Sequence, residues 1–268
     1  MKRILFLFLT IFLVISPLIL IDTKTVYAQE LSCPTPASIM LHSRFGSVLM
    51  KKLALQIISD GYITMTYSQV YDLWDQGKCP PSNAILVSID DLSGAWLRSA
   101  FMDMIQVFID HGLVLTVGVV SYTPDTFVQN PVIWEYFKEI DKAGIEIASH
   151  STHHYSLKDL DRKGIDIELR ESYEIICQNL GKCPKTFILP FGSGWNVKDV
   201  VESASGLYRS LVSITGPRDF GGDMFIMKRV PPPDNIADLK KFLNKHFPYE
   251  DNQSTLLGSC IVYAVKPK

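Results

Sequence analysis

Short β-branched runs alternate with helix-patterned stretches along nearly the whole chain, and neither a repeat nor a low-complexity tract interrupts them. That alternation selects an α/β domain with a largely parallel sheet. Parallel strands cannot be joined by a hairpin, and a helical crossover is their usual connection. The pattern predicts strands at 38–41, 84–89, 113–120, 145–149, 186–189, 209–214, 224–230 and 256–265. Helical periodicity falls at 48–58, 67–75, 95–109, 132–142, 165–180, 197–203 and 236–246, with stops at Gly61, Gly77, Pro80, Gly112 and Gly144. Seven or eight strands suit a closed or nearly closed β/α barrel better than an open sheet.

The residues able to do chemistry support the same architecture. His42, Asp90, Asp91, His150, His154 and Pro190-Phe191 all lie just past the C-terminal ends of predicted strands, the rim where β/α barrels build active sites. Half of the six histidines sit in His150-Ser-Thr-His-His154. Two imidazoles and a carboxylate make a three-ligand metal site with open coordination positions, suited to activating water. A second carboxylate beside it can take the proton. Each segment also has a plainer explanation. Asp91 or Ser93 is a good N-cap for a helix beginning near Ala95, and a histidine-rich loop can simply be exposed. Adjacent strand residues point to opposite faces, so Asp90 and Asp91 can share a site only if the chain turns there. His153 is expected to point away. Trp195, on the glycine-rich loop Phe191-Gly-Ser-Gly-Trp195, either stacks on a sugar ring or covers the rim.

Met1-Lys-Arg followed by an apolar run to about Ile21 and then Val26-Tyr27-Ala28 reads as a secretory signal ending at Ala28. An uncleaved membrane anchor is the alternative. Residues 29–37 are then an N-terminal extension and 38–268 one barrel domain, secreted or held at the cell envelope. Outside the cytoplasm the five cysteines can pair. Cys177 with Cys183 would staple a helix end, Cys33 with Cys79 would make a second bridge, and Cys260 would remain a small buried hydrophobe. A net charge of −2 leaves no basic footprint for nucleic acid.

Together these residues resemble the polysaccharide deacetylase (NodB-homology) family. Its motifs correspond to Ser88-Ile-Asp90-Asp91-Leu92, to Gly144-Ile-Glu146-Ile-Ala-Ser149-His150-Ser-Thr-His-His154 and to Ile188-Leu-Pro190-Phe191-Gly192. The resemblance covers about residues 38 to 265 and implies a distorted (β/α)7 barrel. It implies Asp90 as general base and Asp91, His150 and His154 as holders of a divalent metal. Zinc comes first, with iron, cobalt, nickel or manganese as alternatives. The Phe191 N–H would serve the oxyanion, and Pro190 and Trp195 the substrate. The chain departs from the pattern at three places. Leu92 replaces a glycine, Ile188 replaces the arginine that orients the base, and the late histidine that supplies the acid is missing. Ile39-Met-Leu-His42 resembles the biofilm poly-N-acetylglucosamine deacetylase branch, which makes His42 the candidate general acid. In a closed barrel the first and last strands are neighbours, so a histidine ending the first can fill a place normally supplied by the last.

The expected activity is hydrolysis of acetyl groups from an N-acetylglucosamine-type polysaccharide. The alternatives are an inactive barrel that binds cell-surface glycan, or a deacetylase of peptidoglycan or another acylated glycan.

Overall fold

The computed structural model describes residues 33, 35–93, 99–122, 130–216, 225–232 and 236–247. All belong to one compact unit, Leu31–Lys268. The expected signal or anchor segment, most of the N-terminal extension, Cys260 and the expected strand at 256–265 lie outside them. No helix among the described residues is long and apolar enough to cross a membrane.

Eight parallel strands make one sheet: β1 (Ala37–Leu41), β2 (Ile63–Met65), β3 (Ala84–Leu92), β4 (Thr116–Val119), β5 (Glu146–Ser149), β6 (Thr186–Ile188), β7 (Ser210–Ser213) and β8 (Phe225–Lys228). Their order is β1-β3-β4-β5-β6-β7-β8, with β2 paired to the first half of β3. Just past β8, Val230 bridges to Ile39 of β1 in parallel, and its N–H donates to Ser38 while its carbonyl accepts from Met40. This contact nearly closes a seven-stranded barrel, consistent with a distorted (β/α)7 fold. The neighbour of β1 is therefore the end of β8. The short β2 was not foreseen. With three residues it offers too little alternation to be read as a strand.

The helices are α1 (Gly46–Ser59), α2 (Tyr67–Asp75), α3 (Ser99–Asp110), α4 (Pro131–Lys142), α5 (Arg162–Leu180), α6 (Lys198–Ser205) and α7 (Leu239–His246). Their starts follow local chemistry. Thr66 and Gln69 form a reciprocal capping box on α2, Asn130 caps α4 ahead of Pro131, and Asp161 and Asp238 cap α5 and α7. Cys33–Cys79 and Cys177–Cys183 are disulfide-bonded, the latter across the end of α5 at the left-handed Gly181.

The strands have two apolar faces. Outward residues such as Ile85, Val87, Ile89, Val117 and Ile147 pack with α1, α3 and α4, while Phe187, Leu189 and Leu211 pack with α5 and α6. Inward residues Leu86, Ala148, Ile188, Val212 and Met227 meet Tyr67 and Val70 of α2, which fill the barrel interior. The strict period of two on each strand decides which polar residues can share the interior with them.

Candidate active site

Counting inward by twos places the chemistry. On β3 the series is Leu86, Ser88, Asp90; beyond β5 it is Ala148, His150; beyond β8 it is Met227, Arg229. Leu41 pairs with Ile89, so His42, the next residue, comes level with Asp90. Asp90, His150 and Arg229 are each at most 2% exposed.

Asp91 breaks the alternation. Between Ile89 and Leu92 the β3–β4 register slips, three steps on β3 matching two on β4, and Asp91 takes φ 65°. This β-bulge turns two successive carboxylates to the same mouth. The other non-glycine residues with positive φ are Ser151, His154 and Phe191, at 70°, 63° and 57°. Left-handed backbone costs a non-glycine residue about 1–2 kcal/mol. All four such residues among those described therefore gather at one site, where surrounding bonds hold them. The His154 N–H donates to Ser151 Oγ at 2.9 Å, and the Ser121 and Tyr122 N–H groups donate to the Ser151 and Thr152 carbonyls.

The result is a triangle of ligand atoms. Asp91 Oδ1 lies 3.3 Å from His150 Nε2 and 3.2 Å from His154 Nε2, and the two nitrogens are 3.1 Å apart. Ligands bonded at about 2.0–2.1 Å stand about 3.3 Å apart at tetrahedral angles and about 2.9 Å apart at right angles. The three atoms thus fit one small divalent cation. The Ile188 carbonyl, 2.8 Å from His150 Nδ1, only accepts, so Nδ1 carries a proton and Nε2 is the ring atom turned to the triangle. A shared cation satisfies all three atoms at once.

Asp90 stands beside this triangle, its Oδ2 4.0 Å from His150 Nε2. Arg229 grips it with two hydrogen bonds, Nη1 to Oδ1 and Nη2 to Oδ2, each 2.5 Å, while Nη1 also donates to Ser88 Oγ at 2.8 Å. Burial pushes the Asp90 carboxyl up, but Arg229 and then His150 outweigh it, and the net shift is downward. Burial likewise opposes ionisation of Asp91, and His150 and His154 hold it well below the usual carboxylate range. His42 Nε2 sits 3.7 Å from Asp91 Oδ2, its side chain one-third exposed.

Comparison with known proteins now bears on this site. Residues 77–207 match the family model for polysaccharide deacetylases. The matched stretch, just under half of the chain, is similar to a polysaccharide deacetylase domain. Such a domain is a hydrolase acting on the carbon–nitrogen bond of an acylated amine. No curated protein sequence matches the chain. Among solved structures, a Streptococcus pyogenes deacetylase, PplD, in complex with acetate, superposes with a TM-score of 0.63 at 14% identity, over 77% of this chain and 96% of its own. IcaB from Ammonifex degensii gives 0.61 at 15%, over 75% and 92%. The BpsB deacetylase domain from Bordetella bronchiseptica gives 0.56 at 16%, over 73% and 95%. At these identities the likeness is one of fold.

Around the triangle the remaining expected residues fall as follows. Phe191 is 62% exposed on the turn Pro190–Gly192, its ring 4.8 Å from that of His154. Pro190, the first residue of that turn, is buried. Trp195 is partly buried against the α5–α6 core, its indole so close over Gly216 that no Cβ would fit there. His153 does point away from the triangle, to the buried Glu168.

Sequence reasoning missed Arg229. It took Ile188 as the loss of the arginine that orients the base, whereas the structure supplies a guanidinium from the end of β8, which the barrel's closure sets one strand away from β3. A signal was present: Arg229 interrupts an apolar strand at the inward parity of Met227. Glu168 was also missed, because a carboxylate in a long polar helix looks like an exposed one.

Proposed function

We propose that this chain is an exported, metal-dependent deacetylase of N-acetylglucosamine-type polysaccharide, with Asp91, His150 and His154 holding the metal. The observation that carries the reading is the triangle of one carboxylate oxygen and two imidazole nitrogens, 3.1–3.3 Å on a side, with a second, arginine-clamped carboxylate next to it. A divalent cation there, zinc foremost, supplies Lewis-acid polarisation of the acyl oxygen and eases ionisation of water.

The residues divide the remaining work. Asp90, kept ionised and fixed by Arg229, accepts the proton of the attacking water at its carboxylate. The Phe191 N–H donates to the oxygen that gains charge as the carbonyl carbon becomes tetrahedral. His42 gives its Nε2 proton to the departing amine. Acetate and a free amino sugar leave, with one water consumed. Arg229 removes one motive for reading the barrel as inactive, since the base has its orienting partner after all. The signal-like segment at 1–28 supports export, and the resemblance of Ile39-Met-Leu-His42 to the biofilm poly-N-acetylglucosamine deacetylase branch supports a biofilm-type glycan.

The test is acetate release from N-acetylglucosamine oligomers by chain stripped of metal and then reloaded, together with Asp90→Asn. Stripping should abolish release and reloading restore it. Asp90→Asn should keep the metal and lose turnover by about 10²–10⁴-fold, the usual worth of a general base. Acetate release by Asp90→Asn at the parental rate sinks the assignment.

A further inference from the structure

Among the described residues the Phe, Tyr and Trp side chains that stand exposed are Tyr122, Tyr155 and Phe191, at 44%, 57% and 62%. All three border the histidine loop. Apolar rings exposed singly need no explanation, but rings gathered at one rim mark a binding surface.

Two of them share a bracket. Tyr155 stacks on the His153 ring with centroids 5.5 Å apart and planes 17° from parallel. Tyr122 meets the same imidazole edge-on at 4.9 Å. His153 is itself immobilised, its Nδ1 2.7 Å from Glu168 Oε1 and its N–H donating to Glu168 Oε2 at 2.8 Å. Glu168 is 1% exposed on α5, so the bracket is anchored in the core. The Tyr122 N–H donates to the Thr152 carbonyl at 2.9 Å, tying that ring to the same loop. Tyr155 directly follows the ligand His154.

We propose that Tyr122 and Tyr155, bracketed by His153, form a stacking platform for a pyranose ring next in the glycan chain to the sugar that loses its acetyl group. The proposal rests on the deacetylase reading and deepens it. The platform makes the substrate a chain of sugars. A pyranose presents an apolar C–H face with hydroxyls at its edge, matching a tyrosine's apolar body and polar tip. Rings already held in place lose little conformational freedom on binding, so their stacking is retained as affinity. The platform lies beside the metal triangle, where a neighbouring sugar of the same polymer runs and a lone monosaccharide at the metal does not reach. It also gives His153 a task, since that imidazole faces Glu168 and takes no part in the triangle.

The competing account is that the rings merely brace the ligand loop. The metal-loaded full chain, Tyr155→Ala, Tyr122→Ala and Tyr155→Phe are assayed on an N-acetylglucosamine pentamer and on the monomer. Pentamer binding is titrated by calorimetry, and metal per chain is measured. For either alanine variant, kcat/KM on the pentamer should fall about tenfold relative to that on the monomer, mainly through KM, as for a stacking anchor. Tyr155→Phe, which keeps the ring, should retain most of the preference, and metal content should stay near one per chain. Equal losses on both substrates, loss of metal, or an unaltered pentamer preference overturns the platform. If the parent releases no acetate from either sugar, the deacetylase reading fails by itself and the titration decides the platform. About tenfold weaker pentamer binding in Tyr155→Ala then supports it. Parent-like binding, or a parent that binds no pentamer, refutes it.

Discussion

The barrel interior holds two polar layers separated by one apolar layer, and the two differ in how their oxygens and nitrogens are satisfied. In the lower layer, the Glu146 carboxylate accepts from the Ser68 N–H, the Ser68 hydroxyl, Thr116 Oγ1 and Thr186 Oγ1, and Thr186 bonds onward to Ser210. Every donor is neutral, and no residue of this layer has positive φ. In the upper layer, Asp91 and His154 are in left-handed backbone and three ligand atoms crowd within 3.3 Å. The same period-two rule delivers both layers. The lower one is complete in protein atoms alone, whereas in the upper one two imidazole nitrogens and a carboxylate oxygen stand at spacings that would suit a shared cation.

The sharpest way to break this contrast is to remove the Arg229 guanidinium of the upper layer. Arg229→Met should leave Asp90 buried and uncompensated, with a loss of about 3–5 kcal/mol in unfolding free energy. Pairing it with Asp90→Asn, which removes the charge, should recover much of that loss without restoring acetate release. Chemical denaturation of the two variants checks the claim. If Arg229→Met is as stable as the parent, the guanidinium is not what balances Asp90.

The lower layer should respond in the opposite manner. Glu146→Gln exchanges one acceptor for a donor amid the Ser68, Thr116 and Thr186 donors, which should cost about 1–3 kcal/mol. The folded fraction should nonetheless bind metal and release acetate at close to the parental kcat. A variant that stays fully folded but loses its metal would show that the two layers are coupled through the barrel, contrary to the division drawn above.

Much of this was legible before any coordinates. The strand-end placement of His42, Asp90, Asp91, His150 and His154 pointed to the fold and to the cluster these side chains form, because in a β/α barrel one end of every strand faces one mouth. Three features were not legible, each for a physical reason. The bulge at Asp91 depends on register against β4, which no local pattern encodes. Arg229 lies about forty residues beyond Pro190 in the chain, and only closure by Val230 brings the end of β8 beside β1 and within reach of Asp90. The anchoring of His153 by Glu168 joins residues on a loop and a helix face, and neither is unusual alone. Pairing across space is what a single sequence hides.

The smallest expected effect concerns the spacing between the layers. Gly118 on β4 faces inward, and a Cβ there would stand 3.1 Å from Ile188 Cδ1 and 3.3 Å from His150 Cβ. Both neighbours are fully or almost fully buried. Ile188 belongs to the apolar layer, while His150 belongs to the triangle and its ring is already fixed by the Ile188 carbonyl. Gly118→Ala therefore meets a choice between two shifts. Movement of the flexible Ile188 terminus costs stability alone, within the roughly 1–3 kcal/mol of an overpacked core. Movement of His150 opens the ligand triangle and weakens metal retention. Because Ile188 Cδ1 is the end of a side chain and His150 Cβ is attached to a hydrogen-bonded main chain, Ile188 should yield. Metal affinity should then change by no more than about threefold while the melting temperature falls by a few degrees. Competition against a chelator, run beside a thermal melt, separates the two shifts. A large loss of metal at little cost in stability would place the histidine, not the apolar layer, as the softer neighbour.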